Sequence, residues 1–308
     1  MKRKVTQKDS DFCRILSENI PGTAKGDIPR IVADGLPPSG DDGNLRFVLD
    51  VGCADGSLTA VIHAAVPEDV GVIGIEPNRT RCLAAWDRWR DAPGHERLSF
   101  LNTSFQEAYS GSTERFDAIV FSSVLHELAS GERDSTRRYE SGPIRDALEK
   151  AYKLLKPGGQ LVIRDFVRPH KWEDSTRRIR FRNKASESRF LQYFAECPFV
   201  YTTPGAPYLM NIFRTTEYTE FEVRGDILLE FLLCWTWGPK SWNREIKERK
   251  LVLSQYEWRS TLEECGFRDI HVKTSAEGYP QHFDRIVKDA GQASIQWPAV
   301  SGLVTARK

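Results

Sequence analysis

Apolar positions in this chain fall in short runs that stop abruptly at small or charged residues. Phe47 to Val51 is one such run; it ends at Gly52-Cys53-Ala54-Asp55-Gly56 and is followed by Ser57-Leu58-Thr59-Ala60-Val61-Ile62. That pattern predicts a buried strand, a tight turn and the start of a helix. Gly71 to Ile75 is a second run and ends at Glu76-Pro77. Phe116 to Ser123 is a third, and Leu154 to Ile163 passes through Lys156-Pro157-Gly158-Gly159 into a fourth. Strand and helix patterns alternate in this way to about residue 165. Such alternation predicts an α/β fold with a parallel sheet and helices on both faces.

The first turn carries the first chemistry. Glycines at 52 and 56, with Ala54 between, leave no bulky side chain to keep a ligand off the backbone. The helix that follows points free N–H groups at the same place. Glu76 lies 26 positions after Asp50, at the tip of the neighbouring strand, where a carboxylate can accept both hydroxyls of a ribose. A dinucleotide-binding turn would read G-x-G-x-x-G. Here the small residues stand at 52, 54 and 56 and an acid, Asp50, precedes them. That acid suits a cationic ligand better than a pyrophosphate.

These motifs resemble those of the class I S-adenosylmethionine-dependent methyltransferases. Asp50 to Gly56 resembles that family's first motif, (D/E)-x-G-x-G-x-G, with Ala54 in place of the middle glycine. Glu76 matches the ribose-binding acid, Phe116 to Ser123 the fourth strand, and Leu154 to Ile163 the L-K-P-G-G turn and fifth strand. The resemblance covers roughly residues 45–165. It continues more weakly in the helix Tyr256 to Cys265, in Ile270 to Lys273 (sixth strand) and in Ser301 to Ala306 (seventh). It implies a Rossmann-like, mostly parallel seven-stranded sheet, S-adenosyl-L-methionine as cofactor, and a transferase that methylates its acceptor. The implied cofactor residues are Asp50, Gly52, Cys53, Ala54, Gly56, Glu76, Pro77, Ser104, Phe105 and Ser122. Leu101 to Phe105 lacks the acid that often contacts the adenine amino group, so Ser104 or a backbone carbonyl is expected there, with Phe105 beside the ring.

The expected organisation follows. Residues 1–44 form a short helix (8–20) and a Gly/Pro/Asp-rich loop (21–44). Asp9 and Phe12 to Ile20 either fold over the cofactor or form a disordered leader. Residues 45–165 and 250–308 form the cofactor-binding domain. Residues 166–249 are a cap inserted after the fifth strand, with a shorter insertion between 274 and 299. Both insertions lie at or near the carboxyl ends of the strands, where open α/β sheets bind ligands.

The cap has a basic part and an aromatic part. Arg164, Arg168, Lys171, Arg177, Arg178, Arg180, Arg182, Lys184 and Arg189 outnumber the acids among them. If this part is helical, Arg178, Arg182 and Arg189 lie near one face. They make either an anion clamp or a solvated face. Tyr218 to Trp242 brings Glu230, Trp235 and Trp237, either walls for an amine or a planar ring, or core. Arg178, Arg182, Glu230, Trp235 and Trp237 are the candidate substrate residues.

Candidate catalytic residues are His126, Glu127 and Asp165. His126 follows the fourth strand and titrates near neutrality, so it could act as a base above the methyl group. It could equally be a bystander at a helix start capped by Ser122 or Ser123. Asp165 stands at the tip of the fifth strand, as a second base or in a salt bridge to Arg164 or Arg168. No metal site is expected.

Composition narrows the partners. A net charge of +1 over 308 residues gives no general attraction to nucleic acid. No N-P-P-[YF] or D-P-P-[YF] follows the fourth strand, which lowers amino-methylation of adenine. The six cysteines are scattered with no C-x-x-C, as in a reduced cytoplasmic protein. Basic Met1 to Lys4 precedes no apolar segment, so no secretion signal is expected. The longest apolar run, Ile227 to Trp237, is too short to span a bilayer. The expected function is methyl transfer to an O or N atom of a small-molecule acceptor. The alternatives are an RNA or nucleotide methyltransferase using residues 164–189, or a non-catalytic scaffold.

Overall fold

The computed structural model describes residues 25–38, 45–130, 142–170, 172, 175–197, 210–276, 278–291 and 294–308. Expectations for residues 8–20, Asp9, Lys171 and the loop 39–44 lie outside them. The main sheet takes β1 (Arg46–Val51), β2 (Val70–Ile75), β3 (Leu98–Leu101), β4 (Phe116–Ser122) and β5 (Leu155–Phe166). These five pair in parallel. A second sheet takes β6 (Thr176–Phe181), β7 (Met210–Arg214) and β8 (Thr219–Arg224). The chain then returns through β9 (Arg268–Ser275), adds β10 (Val287–Asp289) to the second sheet, and ends in β11 (Ser301–Arg307). The first sheet has seven strands in the order β3-β2-β1-β4-β5-β11-β9, with β11 antiparallel to both neighbours. The expected Rossmann-like, mostly parallel architecture is thus the one found.

The central strands are buried on both faces, which is why they read as continuous apolar runs. One face packs Leu49, Phe121, Leu148 and Trp258 into a core. The other packs Ile28, Val48, Ile62 and Val120. The strand order turns back between β1 and β4, so a crevice opens at their carboxyl ends.

Two local expectations change. Within the Gly/Pro-rich 21–44 segment, Ile28–Gly35 is a helix, not loop. Pro29 presets its first turn, and Ile28 and Val32, one turn apart, are buried against the sheet's second face. The basic run is not helical at 176–181 but forms β6, where Ile179 is buried and Arg178 and Arg180 share one side. The helix Lys184–Glu196 begins only after Asn183, whose side chain accepts from Ser186 N.

The inserted residues build their own core from Phe190, Phe221, Phe231 and Trp242, together with Phe283 and Val287 from the second insertion. Within it, the apolar run after Arg224 becomes the fully buried helix Gly225–Trp235. A fully buried phenylalanine contributes about 1.5–3 kcal/mol, so this core holds the second sheet as a unit. Among the described residues no helix is long and apolar enough to cross a membrane.

Candidate functional site

A cleft enclosing roughly 1160 Å³, open solvent at its mouth included, lies over the carboxyl ends of β1, β2 and β4. Its floor is the turn Gly52–Gly56. Gly52 N and Cys53 N donate to Ile75 O at 2.9 and 3.0 Å, tying the turn to β2. Gly52, Ala54 and Gly56 all have left-handed backbone, with φ of 71°, 49° and 74°. A Cβ on Gly52 would lie 2.4 Å from Val124 Cγ2, and one on Gly56 would lie 2.5 Å from the Phe100 ring. Ala54 takes the same hand at a cost of about 1–2 kcal/mol, at the position where glycine is usual.

The acids are held before any ligand arrives. Asp50 is buried and accepts from Thr59 Oγ1 at 2.7 Å. Burial pushes its pKa up to about 7; nearby Glu76 adds to this, while the Thr59 hydrogen bond and Lys25 oppose it. Glu76 accepts from Ala54 N at 3.1 Å and Asn78 N at 2.9 Å, so the β2 acid also braces the turn. Asp55 is buried and takes Arg88 at 2.6 Å. Pro77, Ser104 and Phe105 line the far end of the cleft. Ser104 Oγ donates to Glu107 Oε2 at 2.8 Å. Phe105 is buried, with its ring edge-on to Phe121 at 5.2 Å.

The β4 end supplies the polar wall. Ser122 Oγ is buried in the cleft without a hydrogen-bond partner. Neither serine caps the helix Leu125–Ala129, whose N-terminal residue Val124 provides no side-chain cap. His126 is almost wholly buried, and its Nδ1 lies 2.6 Å from Asp165 Oδ1. Asp165 Oδ2 accepts from His126 N at 3.2 Å, and Oδ1 also accepts from Phe166 N at 2.8 Å. Asp165 therefore pairs with His126; Arg164 instead reaches Asp27, and Arg168 reaches Glu257. An ionised carboxylate can only accept, so Nδ1 carries a proton and the neutral ring presents a bare Nε2. That nitrogen is 3.9 Å from Glu248 Oε2.

Burial works against an imidazolium at His126, but the charge and hydrogen bond of Asp165, with Glu127, outweigh it and the opposing Lys250. The net result is a raised pKa. Burial would raise Asp165, and its His126 contacts and backbone donors pull it below the usual range. Burial raises Glu127, with nearby Glu248 adding to it.

The structure separates the candidate substrate residues. Trp237 lines the cleft. Trp235 packs instead into the second core, 5.7 Å from Trp242 and stacked on Phe231. Glu230 is buried and accepts from Lys250 N and Leu251 N at 2.9 and 2.8 Å. Arg178 is clasped by Glu220, which also binds Arg180, and Arg182 Nε donates to Asp284 O. None of these four is among the residues lining the cleft.

Sequence reasoning missed the opposite wall. Arg244, Glu245, Glu248 and Lys250 enter the cleft from the segment joining the cap to the main domain. Lys250 Nζ is buried between Glu245 Oε2 at 2.7 Å and Glu248 Oε2 at 2.5 Å. Lys25 was missed too. Lys25 falls in the stretch read as a loop, and Arg244 to Glu248 at the end of the inserted cap, with no motif to single them out. His126, Glu127 and Glu248 bring donor atoms within 4.8 Å of one another, the only such group of three found among the described residues.

The fold and this cleft define a Rossmann-like cofactor-binding domain whose cleft has an added wall from residues 237–250. The profile of the methyltransferase-domain family matches residues 23–196, more than half of the chain, and the chain belongs to that family. It is a class I S-adenosylmethionine-dependent methyltransferase domain. The chain is 30% identical over 117 residues to the mitochondrial ubiquinone biosynthesis O-methyltransferase of Mus musculus, covering 38% of this chain and 27% of that protein. It is 31% identical over 137 residues to the arsenite methyltransferase of Aquipseudomonas alcaligenes, covering 42% of this chain and 35% of that one. The matched region thus spans about a third or less of these relatives' own length. In fold it is similar to the CurJ carbon methyltransferase (TM-score 0.51, 15% identity, 97% of this chain and 58% of that one).

Proposed function

We propose that this protein transfers the methyl group of S-adenosylmethionine to a hydroxyl oxygen of a small-molecule acceptor, with an amine nitrogen as the second choice of nucleophile. The observation that carries this reading is the Asp165–His126 pair, at 2.6 Å, with His126 lining the cleft and its Nε2 3.9 Å from Glu248 Oε2. The cofactor supplies an activated methyl on its sulfonium. In this reading Asp50 and the turn Gly52–Gly56 take its amino-acid end, Glu76 its ribose, and Ser104 and Phe105 flank its adenine. The acceptor oxygen attacks the methyl carbon in line, the carbon–sulfur bond breaks, and the cofactor leaves as neutral S-adenosylhomocysteine. The hydroxyl proton passes to His126 Nε2, and Asp165 stabilises the resulting imidazolium. Glu127 and Trp237 border the acceptor. An uncharged thioether nucleophile, with no proton to lose, would need no such base.

A nucleic-acid acceptor is the weaker reading. Two of the arginines that could hold phosphates, Arg178 and Arg180, are already engaged by Glu220. Radiolabelled cofactor offered with panels of phenols, alcohols, amines and RNA tests the reading. Label transferred to hydroxyl compounds and lost in His126→Gln supports it. Transfer to RNA alone, or to carbon acceptors with His126→Gln fully active, rejects it.

A further inference from the structure

Most charges on the wall around His126 are answered within the protein. Lys250 Nζ lies 2.7 Å from Glu245 Oε2 and 2.5 Å from Glu248 Oε2. Arg244 also reaches Glu245, and its Nε lies 3.4 Å from Glu248 Oε1. Two cations are thus taken up by two acids, and Asp165 is taken up by His126. Glu127 is left over. Its side chain lines the cleft, is open to it, and makes no hydrogen bond or ion pair with any described residue. Loss of hydration among its neighbours is the largest influence on its pKa and pushes it up; Glu248 adds to this, and His126, Arg244 and Lys250 offset only part. A carboxylate so placed gains from a ligand that brings positive charge.

A second observation marks the same place. His126 is almost wholly buried and lines the cleft, yet only its Nδ1 is hydrogen-bonded to a described residue; Nε2 is not. A buried polar group left open in this way is costly unless a ligand satisfies it. The spacing then sets the class of ligand. A ring nitrogen of His126 and one carboxylate oxygen each of Glu127 and Glu248 lie within 4.8 Å of one another. A hydroxyl on His126 and a cation on Glu127, each about 2.8 Å from its partner, converge to about 3–5 Å. With bonds of about 1.5 Å, that is the separation of groups on adjacent carbons or on carbons one further apart. A divalent metal would meet the same donors, but Lys250 and Arg244 already hold Glu248 and would repel it. An ammonium carries half that charge, and the aromatic ring of Trp237 on the same cleft suits it.

We propose that Glu127 binds an ammonium group of the acceptor, and that the acceptor is an amino alcohol whose amine stands one or two carbons from the hydroxyl that is methylated. The inference rests on the reading of His126 as the base for a hydroxyl acceptor. Glu127 then sets specificity without touching the reacting atoms: it holds the amine while His126 takes the proton of the neighbouring hydroxyl.

Calorimetry on the full chain saturated with S-adenosylhomocysteine tests this with four probes: 2-aminocyclohexanol, cyclohexane-1,2-diol, 2-hydroxycyclohexanecarboxylate and trans-4-aminocyclohexanol. The wild type should bind 2-aminocyclohexanol about 10–100-fold more tightly than the diol, the range expected of a charged hydrogen bond. The hydroxy acid should bind most weakly, and the 4-amino compound, whose groups stand too far apart, no better than the diol. Glu127→Gln should abolish the preference by weakening 2-aminocyclohexanol alone, while Glu127→Asp should keep part of it. An equal affinity for amine and diol, no binding of 2-aminocyclohexanol at millimolar concentration, or a preference unchanged in folded Glu127→Gln overturns the inference. An effect of Glu127→Gln seen only with added magnesium or manganese would assign the three donors to a metal and overturn it too. Label transfer to hydroxyl compounds that is lost in His126→Gln but shows no amine preference overturns the inference and leaves the hydroxyl reading standing. Transfer indifferent to His126→Gln overturns both.

Discussion

His126 Nδ1 lies 2.6 Å from Asp165 Oδ1; His126 sits in the short helix that follows β4, and Asp165 near the end of β5, the parallel neighbour of β4. The pair joins the pH behaviour of the fold to that of the reaction. The folded pKa of His126 is raised above its ordinary value of 6.5. The ion pair therefore stabilises the fold fully below about pH 6.5, and that stability is lost as pH rises through the raised value. A base must be neutral to act, so the acid limb of the rate profile should sit above pH 6.5. His126→Gln should lower turnover by about 10²–10⁴-fold and flatten that limb. Asp165→Asn should move the limb to lower pH. Rate–pH curves of one shape in wild type and His126→Gln would remove the histidine from proton transfer.

Asp50 gives a second pH signature, of the same sign in stability. Its pKa is raised to about 7, mainly by burial, from 3.8. Between those values the folded chain holds a proton that the unfolded chain releases. Stability without cofactor should therefore fall as pH rises from about 4 to 7. The cofactor's ammonium favours the ionised carboxylate, so binding should expel the proton and tighten as pH rises towards 7. Calorimetry in buffers of different ionisation enthalpy should detect the proton release. Asp50→Asn should release none; release that persisted in this variant would have to come from another group.

The floor of the cleft was legible because its chemistry is local. Small residues, a strand before and a helix after are enough to read the turn 52–56, and Glu76 follows from strand spacing. The departure at Ala54 is informative as well. Its φ of 49° makes it the strained member of the three. Ala54→Gly should keep cofactor affinity and change stability by no more than about 1 kcal/mol, since relief of strain is offset by glycine's unfolded-state entropy. Gly52→Ala, at a φ of 71° and with Val124 in its way, should lose both stability and binding. Equal effects of the two substitutions on cofactor affinity would show that the turn is more plastic than its backbone suggests.

What escaped the sequence is what tertiary contact decides. Glu230 and Trp235 have the composition of a ligand wall, but a buried carboxylate can equally close a chain reversal, and a tryptophan can equally fill a core. Glu248 and Lys250 sit in a charged stretch at the boundary between the cap and the returning domain, with no motif to mark them. Only the return of the chain past β4 brings them opposite His126. Glu230→Ala should destabilise the fold by about 1–3 kcal/mol, because it strands two buried backbone donors at residues 250 and 251. Thermal unfolding measures this. Glu230→Ala with wild-type stability would mean that water replaces the carboxylate.

The last contrast separates the two halves of the cap as acceptor determinants. Arg178 is more than half exposed, on a strand, and its guanidinium is taken up by Glu220 and by the face of Phe213 at 4.7 Å. Arg182 bonds a main-chain oxygen of the second insertion. Replacing both by alanine should leave cofactor affinity and the acceptor KM unchanged, because neither residue reaches the cleft. Trp237 does line it, as do Glu127 and Arg244. Trp237→Ala removes a planar apolar wall and should raise the acceptor KM by about 10-fold, the size of effect expected from losing an aromatic contact and part of its buried area. Steady-state kinetics on whichever acceptor the labelled screen identifies makes the comparison direct. A large rise in KM for the arginine pair, with Trp237→Ala silent, would move acceptor recognition to the second sheet and restore the anion-clamp reading of residues 164–189.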